Sequence, residues 1–108
     1  MKNGKMVKVA LLLDVYGRVL SEKQRDALDF YYNEDMSLSE VGEALGMTRQ
    51  GVREALMRGE EKLFFFEERL KAAEKFEAYD DGMKRIAAFL ENGDSEAALK
   101  TAKSFIAE

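Results

Sequence analysis

No proline interrupts the 108-residue chain, and apolar residues return along most of it every three or four positions. That is the period of one helix face, and without Pro nothing removes a backbone donor from a helix interior. No run of alternating apolar and polar residues is long enough to argue for a sheet, so the fold class is all-α. The most constraining stretch is Val52, Leu56, Gly59, Leu63, Phe66, Leu70 and Ala73, spaced 4, 3, 4, 3, 4 and 3 apart. It is a heptad seam of about three heptads on one long helix. Gly59 occupies a core position in it, and Phe64 and Phe65 widen the apolar surface, so packing against the first helix competes with self-association. Three consecutive Phe cannot share one helix face. Two surfaces must therefore be covered, and the stripes exceed what a chain this short easily buries. A homodimer is expected, through Leu56, Leu63, Phe66 and Leu70 of the long helix or through the first helix.

The other helices announce themselves by caps and stripes. The first covers about residues 6–19 with Val9, Leu12, Leu13 and Tyr16 on one face. Ser21 and Gln24 make a capping box for a second helix that runs to about Asn33 and buries Ala27, Leu28 and Tyr31, with Tyr32 on its flank. Ser37 and Glu40 make another, opening a short helix with Leu38, Val41 and Leu45 inward. Gly46 suits the left-handed position after that helix, and Thr48 caps the long fourth one. Asp80-Asp81-Gly82 breaks the pattern and reads as a linker. Beyond it Met83, Ile86, Ala87 and Leu90 form one stripe, Asn92-Gly93-Asp94 a turn, and Ala98, Leu99, Ala102, Phe105 and Ile106 a second stripe. The expected architecture is a four-helix domain over 1–79 with a helix-turn-helix at its centre, then a helical hairpin over 80–108.

Composition narrows the chemistry. Without Cys there are no disulfides, thiolate metal sites or thiol nucleophiles; without His, no Ser-His triads or imidazole ligands. Glu34-Asp35 and Asp80-Asp81 lack the alternating oxygen ligands of a calcium loop and read as loop or helix-end decoration. Glu60, Glu61, Glu67 and Glu68 lie at spacings where they meet Lys62, Arg69 or Lys71, as on a solvated helix face. Neither an enzymatic reading nor a cofactor or metal survives. Lys2, Lys5 and Lys8 precede Val9–Leu13 as in a signal peptide, but Asp14 cuts the run short and no cleavage site follows. No segment approaches the roughly 20 apolar residues of a membrane span. A cytoplasmic protein with no membrane insertion is expected.

Ser37 to Arg58 has the spacing of a helix-turn-helix, with Gly42 where the second helix must approach closely. In DNA-binding examples the early residues of the second helix enter the major groove. Here these are Arg49, Gln50, Arg53 and Glu54. Arg49 or Arg53 could bond bidentately to guanine, Gln50 to adenine, and Glu54 could accept from a cytosine amine. Thr48 and the free amides of the helix start suit a phosphate. Charge agrees weakly: Gly46–Arg58 carries three Arg and one Glu, whereas the whole chain has a net charge of −4. The competing reading for Arg49, Gln50 and Arg53 is a solvated helix face, with the motif a protein-docking scaffold.

Ser37-Leu38-Ser39-Glu40-Val41-Gly42 followed by Thr48-Arg49-Gln50-Gly51-Val52 resembles region four of bacterial sigma factors. Together with Leu13-Asp14-Val15-Tyr16, Glu22-Lys23-Gln24-Arg25 and Phe30-Tyr31-Tyr32-Asn33-Glu34-Asp35, the stretch over about 9–79 is similar to the YlxM family of small bacterial helix-turn-helix proteins. The family more usually has Ala at Gly51, and Tyr and Asp at Arg53 and Glu54. The resemblance implies a largely helical, often dimeric body. It also implies an accessory role in the signal recognition particle pathway, with the particle's RNA, its GTPase or the receptor as partner. Sequence-specific DNA binding is the alternative.

Overall fold

The computed structural model describes residues 4–106, with six helices and no strand among them. Lys2, one of the basic residues at the start, lies outside that range. The helices are α1 (Gly4–Tyr16), α2 (Glu22–Leu28), α3 (Leu38–Leu45), α4 (Arg49–Leu70), α5 (Ala72–Glu91) and α6 (Ser95–Ser104). They form two compact units that divide after Lys71.

In the first unit α4 is the spine, and α1, α2 and α3 each pack on it. Val9, Leu12 and Leu13 of α1, Leu28 of α2, Val41 of α3 and Val52 and Leu63 of α4 meet in one core. The seam expected to join two chains is therefore mostly internal. Leu56 and Leu63 are buried within the unit, 6% and 0% exposed, and leave almost nothing for a seam between chains. Phe66 is half-buried, its ring stacked on Tyr16 at 6.2 Å between centroids. Only Leu70, 56% exposed, stays open. Gly59 explains its own place in the seam: a Cβ there would lie 2.7 Å from Leu28 Cδ1, so α2 crosses α4 at the position without a side chain.

α2 passes directly into a π-helical turn over Asp29–Asn33. The wider turn advances the register by about one residue. As a result Tyr32 is buried and Tyr31 half-exposed, the reverse of the order a continuous α-helix would give. The same spine corrects one charge assignment. Glu67, placed by spacing among the solvated carboxylates, is buried, and the Tyr16 hydroxyl donates to its Oε1 at 2.6 Å.

Both capping boxes form. At α3 the Glu40 amide donates to Ser37 Oγ at 3.1 Å and the Ser37 amide to Glu40 Oε1 at 2.8 Å. The bonds from Ser37 hold the Glu40 carboxyl below its ordinary value of 4.5. A lowered folded value contributes stability that is complete above 4.5 and lost as pH falls through the folded value. The Ser37 amide resonance should therefore titrate with a midpoint below 4.5, and Glu40→Ala should abolish that titration. A midpoint at or above 4.5 would contradict the box.

α4 ends at Lys71, whose left-handed backbone (φ 56°) donates its N–H to the Glu67 carbonyl. The division thus falls at Lys71 and not at 79/80. Asp80-Asp81-Gly82, expected as a linker, lies inside α5. Asp80 pairs with Lys84 at 2.9 Å and Asp81 with Arg85 at 3.8 Å, one turn on, which supports the helix through the acidic pair. Gly82 is the point where the ring of Phe105, the residue just after α6, lies against the α5 backbone. The hairpin turn is where the sequence put it: Gly93 is left-handed (φ 75°) and Asp94 Oδ1 caps α6 by accepting from the Ala97 amide at 3.0 Å. Its packed face differs. Gly82, Ile86, Phe89, Ala98, Thr101 and Phe105 turn inward to varying depths, whereas Met83, Leu90, Leu99 and Ile106 are exposed.

Candidate nucleic-acid interface

The helix-turn-helix is built by three short-range devices. Gly46 ends α3 in a left-handed conformation (φ 66°), and the Met47 amide closes the turn on the Gly42 carbonyl at 2.8 Å. A Cβ at Gly42 would sit 2.6 Å from the Met47 carbonyl oxygen, so the chain can fold back so tightly only over glycine. Thr48 then starts α4, its Oγ1 accepting from the Gly51 amide at 2.9 Å. Gly51 faces that hydroxyl: its Cβ would stand 3.1 Å from Thr48 Oγ1, with only the Met47 side chain otherwise close. Its small size accommodates the cap.

These devices bring the expected residues together at one end of α4. Thr48, Arg49, Gln50, Arg53 and Glu54 are all exposed. Their situations differ. Thr48 Oγ is engaged in the cap. Arg49 and Gln50 stand in the first turn, where the unbonded amides and the positive end of the helix dipole favour an anion. Glu54 is held by Arg58, whose Nη2 donates to its Oε1 at 2.8 Å, so that carboxylate would have to break an ion pair to accept from a base. Arg53 borders a groove alongside α4 whose walls include Tyr31, Leu38, Met57 and Phe64.

The groove was not legible as such in the sequence. It holds about 850 Å³ and contains Lys5 and Glu60, ion-paired at 3.3 Å. Tyr32 sits behind the pair; burial first, and then the Glu60 carboxylate, push its phenol up from the ordinary 10.0. Its outer rim carries Glu61 and Glu68. Two of the three consecutive Phe contribute to it: Phe64, and Phe65, which is 49% exposed with the Arg69 guanidinium 3.7 Å over its ring. The available signal was a second α4 stripe, Arg53, Met57, Glu60, Phe64 and Glu68, which the stronger heptad seam masked. No helix among the described residues is long and apolar enough to cross a membrane.

Comparison with known proteins agrees with this motif. Residues 3–102 match the model of the UPF0122 family, described as "Putative helix-turn-helix protein, YlxM / p13 like". A UPF0122 protein of Clostridium kluyveri is 36% identical over 86 residues, covering 80% of this chain and 78% of that one. A UPF0122 protein of Desulforamulus reducens is 34% identical over 102 residues, 92% of this chain and 87% of the relative. One from Symbiobacterium thermophilum is 34% identical over 101 residues and covers 94% of both. No solved structure matches the chain. With almost its whole length matched by the family model and the helix-turn-helix in place, the chain belongs to the UPF0122 family of YlxM/p13-like helix-turn-helix proteins.

Proposed function

We propose that this protein is a non-enzymatic regulatory protein that binds nucleic acid with the first turn of α4. The observation that carries this reading is the geometry of that turn: a capped helix start, projected by a tight α3–α4 turn, with Arg49 and Gln50 exposed beside its free amides. Arg49 suits a guanine edge or a phosphate, and Gln50 an adenine edge. Arg53 stands one turn on and touches a ligand only at its flank.

A second reading follows from charge. The chain carries a net −4, and the exposed carboxylates Glu61 and Glu68 continue along α4 beyond the recognition turn. Such a surface favours a short nucleic-acid footprint and a protein partner. That agrees with the accessory role in the signal recognition particle pathway implied by the family resemblance.

Fluorescence-anisotropy titration separates the two. Labelled mixed duplex DNA and labelled signal-recognition-particle RNA are titrated at two salt concentrations, each with the other as competitor. For the DNA reading, Arg49→Ala should weaken duplex binding by about 1–3 kcal/mol and blur its sequence preference. Selective retention of the particle RNA would favour the accessory reading instead. Binding unaffected by Arg49→Ala would remove the first turn of α4 from the interface.

A further inference from the structure

The groove beside α4 is the surface with no assigned occupant, and its pattern is self-complementary. Arg53, Met57, Glu60, Glu61, Phe64 and Glu68 share one face of α4, turned well away from the buried seam. Met57 is 56% exposed and Phe64 38%, two of the large apolar side chains that this unit leaves open to solvent. The midpoint of the stripe lies between Glu60 and Glu61. If a second α4 lies antiparallel across that midpoint, residues equidistant from it face one another. Arg53 then meets Glu68 of the second copy, Met57 meets Phe64, and the twofold axis makes each contact twice. Opposite charge meets opposite charge at both ends and apolar meets apolar between them. At the centre Glu60 and Glu61 of the two copies come together, and Lys5, paired with Glu60 at 3.3 Å, neutralises one carboxylate of each copy. A parallel arrangement would set Arg53 against Arg53 and Glu68 against Glu68.

We infer that the occupant of this groove is α4 of a second copy of the chain, forming an isologous antiparallel pair across the Glu60–Glu61 midpoint. This places the dimer on a different face of α4 from the heptad seam, and it follows from the self-complementary stripe, whatever the first turn binds. One consequence does rest on the nucleic-acid reading. Arg49 and Gln50 stand about 16 Å from the midpoint at 1.5 Å per residue, so two such turns lie roughly 33 Å apart along the helix axes. That is close to the roughly 34–36 Å between successive half-sites on one side of duplex DNA. In the pair Arg53 serves the dimer, leaving Arg49 and Gln50 for the ligand.

The full chain should sediment with twice the monomer mass of 12.3 kDa. Phe64→Glu and Met57→Glu, both at exposed positions, should each weaken association about 30-fold or more while circular dichroism stays unchanged. Arg53→Glu and Glu68→Arg should each weaken it, and the double variant should restore it. The two positions are about 22 Å apart on one helix, so rescue can arise only between chains. A monomeric wild-type chain at concentrations well above micromolar would overturn the proposal. So would a dimer indifferent to Phe64→Glu, which would move the interface to the exposed Met83, Leu90 and Leu99 of the hairpin. Single charge reversals without rescue would overturn the antiparallel register. None of these readouts involves nucleic acid, so failure of the DNA reading leaves the outcome intact.

Discussion

Leu63→Ala should destabilise the first unit by about 3–4 kcal/mol, and Leu63→Glu should leave it unfolded at ordinary temperature. Leu63 has no exposed surface and sits where α4 meets the rest of the core. Truncation removes the transfer energy of three buried carbons and leaves a cavity in the core. A 71-residue unit has a stability at the low end of about 5–15 kcal/mol, so the loss is a large share of the total. Denaturant titration of the first-unit transition measures it. The contrast with association is the decisive part. Had the heptad seam joined two chains, Leu63→Glu would give a folded monomer. Loss of helical signal places Leu63 in the core, whereas a folded chain of halved mass would restore the seam as an interface.

Tyr16→Phe should cost about 1.5–3 kcal/mol, an unusually large effect for deleting one oxygen. The Tyr16 hydroxyl donates at 2.6 Å to Glu67, a carboxylate only 7% exposed. A buried carboxyl oxygen that loses a hydrogen-bond donor is costly, because no water takes the donor's place. The ring stays, so its stacking on Phe66 is retained and the deficit reports the hydroxyl alone. A double-mutant cycle with Glu67→Gln isolates the pair: the cost of Tyr16→Phe should shrink once position 67 is uncharged. An undiminished cost would assign the effect to packing around the ring.

The bond between Tyr16 and Glu67 also marks where sequence reasoning stops. Spacing alone puts Glu67 with Glu60, Glu61 and Glu68 on a charged helix surface, because i, i+4 partners are available. Only the arrival of α1, 51 residues earlier in the chain, makes the position interior. The heptad seam shows the same limit from the apolar side. A 4-3 repeat states that one face of α4 is covered, and it is equally satisfied by a partner helix from another chain or by α1, α2 and α3 of the same one. Tertiary structure chose the second, and in doing so left Met57, Phe64, Phe65 and Leu70 of α4 exposed.

The local features of the chain are readable from its residues alone. Ser21, Ser37 and Thr48 as caps, Gly46 as a left-handed stop, Asn92-Gly93-Asp94 as a turn, and the helix-turn-helix spacing were all legible. Each depends on hydrogen bonds or backbone freedom within five residues. The presentation of Arg49 and Gln50 follows from those devices and so was legible too. The remaining features depend on which elements meet in the folded chain. Asp80-Asp81-Gly82 has the composition of a break, yet Lys84 and Arg85 support the helix there and Phe105 packs over the glycine. Tyr32 displaced Tyr31 from the core because a π turn shifted the register by about a residue. Local signals fix where a helix can start and stop. The side of it that is buried is set by long-range packing, whose energy outweighs any single cap or propensity.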